Sequence, residues 1–504
     1  MDNSSAEMHT SIYSISESPK NGQLIWVGTD DGNVQITRDG AKTWTNVVGN
    51  IAGLPKNSWV STIAASRFDE ATAYASFDRH TYGDLTPYAY KTTDYGKTWT
   101  SLQVQENGVR GYAHVVAEDA VDPNLLFLGT EFGLWISVDG GQHWAQYKGS
   151  SFPAVAVRDV VIHPRESDLV IATHGRGMWI IDDISPLRAL TPDLMAKSAT
   201  LIEGRPSVQY LPSNGGWAEG DESFNGASRN TQAFIDYYQK GRHIFGDLKI
   251  EILGPDGKLV DTVEGSKHRG LNRATWSMQM KAPIVPPAAS ALGAASQGPR
   301  VLPGTYTVKM TKGDQVYTKP LTLVLDPRAT FSLEDRRMQF ELAMKLYGML
   351  EHMSYAVSAV EGVRDGAAAR AAKLQEKDPL RTRLQQFSKD LDQIRSKIVA
   401  TKEGGGLTGE ERIRERIGSL YGAVNGYEGR PGDYQVARTE SLGHELEDVI
   451  TDFRKLTDKE LQALNPALQK KKLEAMRVLT ESEWQAEHGE ATSKPAGGGA
   501  QEND

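Results

Sequence analysis

TTDYGKTW, from Thr92 to Trp99, is the stretch on which the fold turns, because the chain carries it three times. TRDGAKTW (Thr37 to Trp44) and SVDGGQHW (Ser137 to Trp144) share its frame: a hydroxyl residue, an Asp two places on, one or two glycines, and a Trp at the eighth position. The three copies begin at 37, 92 and 137, so they lie 55 and 45 residues apart, the period of a repeated supersecondary unit. An Asp followed by Gly suits a tight hairpin, since the carboxylate accepts nearby backbone N–H groups while glycine takes positive φ. The Trp is then expected to bury its ring between neighbouring sheets.

The surroundings repeat as well. Second strands read LIWVGTD from Leu24, TAYASFD from Thr72, LLFLGTE from Leu125 and LVIATHG from Leu169; the third strands that run into the box read GNVQITRD, YAYKTTD, GLWISVD and GMWIIDD. Four strand-only units of about 45 residues, filling residues 1–190, read as β-propeller blades.

These residues resemble the Asp-box, or BNR repeat, of sialidases, xyloglucanase-type glycosidases, the photosystem II stability factor family and the sortilin ectodomain. The whole chain is similar to large bacterial BNR-repeat proteins described as sortilin-like or glycosyl hydrolase. In that family the box sits at a hairpin on the propeller rim and supports the fold. The resemblance therefore implies structural roles for Asp39, Trp44, Asp94, Gly96, Trp99, Asp139, Gly141 and Trp144. Two copies depart from the pattern, with Ala41 in place of the second Gly and His143 in place of Thr, and the fourth unit stops at Ile181-Asp182-Asp183 without a Trp. The resemblance is to propellers of seven or more blades. Four units and a start inside a blade's lead-in imply the C-terminal part of an exported, periplasmic or secreted parent, its further blades coming from that parent or a partner.

The chain's 504 residues are enough for about three domains, and it has no cysteine, which excludes disulfides and thiol chemistry. With 56 Lys+Arg against 65 Asp+Glu the net charge is −9, which argues against a nucleic-acid groove. No apolar run of membrane-spanning length occurs, and the first residues, MDNSSAEMHTS, lack the basic and apolar regions of a signal peptide.

Residues 191–330 change texture. After a Gly-rich polar connector come alternating strands (Leu248, Ile250, Ile252), a hairpin at Pro255 to Lys258 and another at Lys312-Gly313-Asp314. The segment resembles an immunoglobulin or fibronectin type III β-sandwich, a spacer or docking module, with a flexible Pro/Ala/Ser-rich insert at 281–304. Residues 331–480 then read as a helical bundle. Behind SLED (Ser332 to Asp335), Met338, Leu342, Leu346, Met349, Met353, Val357 and Val360 recur at helical spacing, as do three later series, one behind TGEE and running to Tyr427. The polar tail, 481–504, is expected to be disordered.

Chemistry would sit where the blades' first strands converge. The candidates there are Trp59, Tyr112, His114, Arg158, Asp159, His174 and Arg176. Arg158-Asp159 opens a first strand, where the pair suits a sugar or carboxylate ligand or else closes an ion pair. His174-Gly175-Arg176-Gly177 reads as a tight turn or a ligand loop. His114 and His163 have no metal-ligand spacing, so neither metal nor cofactor is expected. Two functions remain. One is a non-catalytic binding or assembly protein whose propeller face takes a protein, peptide or glycan. The alternative is an Asp-box glycoside hydrolase, sialidase-like or xyloglucanase-like, needing a pair of carboxylates across a cleft. Asp159 is its first catalytic candidate. No triad of arginines on separate first strands is visible, so the binding reading leads.

Overall fold

In the computed structural model, which describes residues 10–149, 152–211, 228–288, 292–401 and 410–491, the chain divides into two compact units. The first runs to Ile202 and takes in Ser228–Asn230; the second holds most of the remainder from Glu203.

The first unit is a series of antiparallel sheets, each laid down in chain order. Strands β1 (Ile12–Ser18), β2 (Asn21–Thr29), β3 (Val34–Thr37) and β4 (Thr45–Asn46) form one. Strands β5 (Trp59–Ala65), β6 (Ala73–Arg79), β7 (Asp84–Thr92) and β8 (Thr100–Ser101) form the next. The third contains β9 (Ala113–Glu118), β10 (Leu126–Thr130), β11 (Gly133–Ser137) and β12 (Ala145–Gln146). The fourth has three strands, β13 (Val157–Ile162), β14 (Leu169–Thr173) and β15 (Met178–Ile181). These are propeller-like blades. Their first strands lie side by side: the Ser14 and Ser16 hydroxyls accept the Ile63 and Ala65 N–H groups at 3.0 Å, and Ser61 and Thr62 donate to the Ala113 and His114 carbonyls at 2.8 and 2.7 Å.

Box chemistry closes each third strand. In the second blade, the Thr92 hydroxyl donates to Asp94 Oδ1 at 2.9 Å and accepts the Gly96 N–H at 2.9 Å, while Asp94 accepts both the N–H and the hydroxyl of Thr98 at 2.9 and 2.7 Å. Asp39 and Asp139 make the same local bonds. His143, the departure from Thr, keeps the pattern by placing Nδ1 2.6 Å from Asp139 Oδ2. Trp99 and Trp144 are buried against the preceding blade, but Trp44 is 42% exposed, because no blade precedes its own among the described residues. Beyond β15 a 3₁₀ turn (Ser185–Ala189) folds back, and Arg188 grips the fully buried Asp119 of the third blade with two bonds of 2.8 and 3.0 Å. A short helix α1 (Pro192–Ala196) and strand β16 (Ala199–Leu201) follow.

The second unit contains β17 (Ser207–Gln209), β18 (Ala233–Gln239), β19 (Leu248–Leu253), β20 (Leu259–Glu264), β21 (Gly270–Trp276), β22 (Gly304–Lys312) and β23 (Gln315–Leu325). β18 pairs antiparallel with β21, and a five-stranded sheet has the order β17-β23-β22-β19-β20. β17 joins β23 in parallel, and the strand pairing shows sheets without establishing the immunoglobulin-like sandwich that the resemblance implies.

Helices α2 (Leu333–Ala372), α3 (Pro379–Ile398), α4 (Ile413–Asn425) and α5 (Asp433–Lys470) bury one apolar stripe each in a shared core that includes Leu346, Met353, Phe387, Leu391, Ile417 and Leu446. Ser332 and Asp335 cap α2 reciprocally, as the SLED spacing predicts. Around TGEE the outcome differs. Helix α4 starts later, with Arg412 before it and Glu415 accepting the Arg412 N–H; Thr408 and Gly409 lie outside the described residues, and Tyr427 falls past the helix end and is exposed. Within the insert expected to be a flexible loop, residues 289–291 lie outside the described residues, and the parts on either side are anchored: Arg414 Nε donates to the Pro286 carbonyl and the Tyr421 hydroxyl to that of Gln297, with Ala295 and Val301 buried. The expected disordered tail begins instead with helix α6 (Glu481–Ala491), which Trp484 fixes by burying its ring beside Tyr355; residues 492–504 lie outside the described residues. No helix of the described residues is long and apolar enough to cross a membrane.

Candidate binding site

The strand order of a blade decides which ends meet. The boxes follow each third strand, so the starts of the first strands and the ends of the second strands gather at the opposite edge. Trp59 opens β5, Tyr112 immediately precedes β9, and His114 and Arg158 are the second residues of β9 and β13. With His174 and Arg176, which follow the end of β14, six of the seven sequence candidates therefore share one edge. That edge also collects Tyr13 of β1, Asp78 near the end of β6, His80 just after it, and Glu131 in the β10–β11 turn.

These side chains form a continuous strip across four blades. Tyr13 meets Trp59 edge-on with ring centres 4.7 Å apart, and Trp59 is followed by His80 at 6.4 Å. His80 stacks on Tyr112 at 5.0 Å, and Tyr112 meets His114 edge-on at 4.8 Å. Asp78 orients His80, lying 2.8 Å from Nδ1 and accepting the His80 N–H at 2.8 Å. At the far end Arg158 Nη1 lies 3.3 Å from His114 Nδ1. A guanidinium can only donate, so Nδ1 is the acceptor, and the proton of the neutral ring sits on Nε2, which donates to Glu131 at 3.1 Å.

The electrostatics agree with that tautomer. Burial, then the Arg158 charge, holds the His114 pKa below its ordinary value despite Glu131 and Asp78 nearby. Burial would raise Glu131, but hydrogen bonds from His114 and Tyr112 outweigh it and keep the carboxyl below its usual range. Burial, with the Glu131 bond and charge, pushes the Tyr112 hydroxyl up to about 12. Glu131 is therefore a fixed carboxylate, a poor proton donor at neutral pH.

The remaining candidates take no part in the strip. Asp159 lines a cavity of about 390 Å³ between the first strands, together with Glu17, Thr62, Arg67 and Glu118. Glu118 is committed there, accepting from the Ser66 hydroxyl, the Arg67 N–H and the Tyr74 hydroxyl. His174 and Arg176 lie on the exposed β14–β15 turn. Among the described residues no group of three or more His, Asp or Glu is placed to hold a metal ion. Sequence reasoning missed Asp78, His80 and Glu131, although the second-strand segments carry the signal: three of them end on an acid, at Asp30, Asp78 and Glu131.

No protein-family model and no curated protein matches this sequence. Among solved structures the chain is similar to YCF48 from Cyanidioschyzon merolae, at 18% identity over 35% of this chain and 54% of that one, with a TM-score of 0.26. It is similar to a GH74 xyloglucanase from Xanthomonas campestris at 17% identity, over 66% of this chain and 47% of that one, with a TM-score of 0.29. A structure of YCF48 bound to D1 peptide is matched at 10% identity, over 62% of this chain and 82% of that one, with a TM-score of 0.24. The chain thus spans about half the length of the first two. With TM-scores below 0.3, the propeller-like character of the first unit rests on its own strand order, registers and box chemistry.

Proposed function

We propose that the chain is a non-catalytic binding protein, whose strip from Tyr13 to Arg158 holds an extended protein, peptide or glycan segment. The observation that carries this reading is the unbroken run of rings, Tyr13, Trp59, His80, Tyr112 and His114, ending at the Arg158–Glu131 pair at 3.8 Å. Tyr13, Trp59 and His80 offer ring surface at little entropic cost, Tyr112 and His114 are buried beside them as support, and the half-exposed Arg158 adds a charged anchor. Hydrolysis of glycosides would instead need one carboxyl kept protonated. Glu131 is held ionised, and Glu118 is occupied by structural donors. The second unit serves as the spacing and docking part.

The test is to pass the chain over peptide and glycan arrays and measure affinity for whatever is retained. Trp59→Ala and Arg158→Ala should each weaken binding by about 1–2 kcal/mol, leaving the fold intact. In parallel, aryl glycosides and polysaccharides are assayed for turnover. Turnover that Asp159→Asn or Glu131→Gln eliminates would replace binding by hydrolysis; retention by neither array would remove the binding reading.

A further inference from the structure

Two connections in the second unit meet at one end of its sheets. Residues 240–247 lead from β18 to β19 and residues 265–269 from β20 to β21, so both cross between the two sheets. The pairs Gln239–Gly270 and Lys249–Glu264 set them side by side. Their backbones are fastened. The buried Tyr237 and Gln239 donate to the Ser266 carbonyl at 2.6 and 3.1 Å, and Asn272 donates to that of His268 at 2.9 Å. Between the connections, the His243 N–H donates to the Lys267 carbonyl at 3.0 Å and Lys267 Nζ to that of Gly246 at 2.9 Å.

On this braced base two neighbouring apolar side chains stand in water: Ile244 is 69% and Phe245 85% exposed. Lys240, Arg242, Lys267 and Arg269 are exposed around them, against the two exposed carboxylates of Asp247 and Glu264. A chain of net charge −9 therefore carries a basic collar around an apolar tip. One exposed apolar residue is ordinary, but an adjacent pair on a fastened loop marks a surface that meets something.

We infer that this end of the second unit docks on an anionic phospholipid surface, Ile244 and Phe245 entering the boundary between headgroups and acyl chains while the four cations reach the phosphates. Charge complementarity and shape select that occupant. The tip is convex, since an added Cβ at Gly241 or Gly270 would meet no atom beyond its chain neighbours within 4 Å. Two projecting side chains fall far short of the roughly 800 Å² that each partner gives to a stable protein interface. A bilayer needs no matching groove: its boundary accepts apolar side chains, and its negative surface potential attracts nearby Lys and Arg. Charges more than about 8 Å away are screened at physiological salt, so the local collar outweighs the negative charge of the whole chain. The inference gives the docking part a partner and is independent of the strip from Tyr13 to Arg158.

Flotation of the full chain with vesicles tests this. The chain should rise with vesicles of phosphatidylcholine mixed equally with phosphatidylglycerol and stay behind with phosphatidylcholine alone. Ile244→Ser/Phe245→Ser and Arg242→Glu/Arg269→Glu change only exposed residues, so each variant should keep its circular dichroism, while its affinity for the mixed vesicles falls more than about ten-fold. Because the chain has no cysteine, Phe245→Cys accepts a single apolar, environment-sensitive dye in place of the ring. Its emission should shift to the blue on the mixed vesicles, whereas the same dye on Tyr434→Cys, at an exposed position of α5, should not shift. No flotation with the mixed vesicles would overturn the inference and leave the tip to a protein partner. Flotation that the serine pair leaves unchanged would overturn it as adsorption by charge alone, and equal flotation with uncharged vesicles, or an equal shift at both dye positions, would overturn it as well.

Discussion

Trp26 and Trp99 meet edge-on across the boundary between the first two blades, with ring centres 6.0 Å apart and planes at 79°. The contact explains why the box recurs as a unit. The Asp and hydroxyl residues shape the hairpin, and the hairpin delivers the Trp to the neighbouring sheet. Trp99→Ala should therefore cost about 3–5 kcal/mol. Trp44→Ala should cost less than half as much when both are measured by urea unfolding, because Trp44 is 42% exposed where Trp99 is buried. Equal losses would mean that the Trp stabilises its own hairpin and not the blade boundary.

Ala41 occupies the box position held by Gly96 and Gly141, with φ +70°. The left-handed region costs a residue with a Cβ about 1–2 kcal/mol. Ala41→Gly is thus expected to stabilise the chain by about 1 kcal/mol, a rise in urea midpoint at constant slope. Gly96→Ala should do the reverse and more, because its φ is +79° and an added Cβ would sit 2.9 Å from Val47 Cγ2.

His114 links the strip to pH. Its folded pKa lies below the ordinary 6.5, so near and below pH 6.5 the unfolded chain takes up a proton that the native chain refuses. Stability should be fully present above 6.5 and fall as the pH drops toward the folded value, with a slope of at most about 1.4 kcal/mol per pH unit from this one group. His114→Gln, whose amide can still donate to Glu131, should flatten melting temperature against pH in that window. An unchanged slope would show that His114 titrates alike in both states.

In the second unit the Arg336 guanidinium is fully buried and donates to Gln339, to the carbonyl of Arg300 and, at 3.1 Å, to that of Val301. It ties the start of α2 to the segment leading into β22. Arg336→Leu strands those acceptors out of water, and a loss of about 3 kcal/mol or more is expected in denaturant unfolding. A loss below about 1 kcal/mol would mean that water enters to replace the guanidinium.

The blades were legible because their signals are local: an Asp two residues after a hydroxyl, a positive-φ pair and strand alternation all act within one hairpin. SLED and the stripe from Leu342 to Val360 were legible for the same reason, since a helix and its cap are written within a few turns. Where distant segments compete, the sequence was silent. Nothing within residues 281–304 says that Arg414 and Tyr421 will hold their carbonyls, and nothing after Leu479 says that Trp484 will find Tyr355. The candidate site divides in the same way. Residue type and place in the repeat picked out Trp59, Tyr112, His114 and Arg158, but only the tertiary fold brought His80 between Trp59 and Tyr112 and set Glu131 against His114. The sequence by itself determined the repeating unit, because hairpin geometry and helical period are properties of neighbouring residues. The tertiary structure decided which edge gathers the strip, and why Trp44 stays bare while its two counterparts are buried, because burial depends on which blade stands next to it.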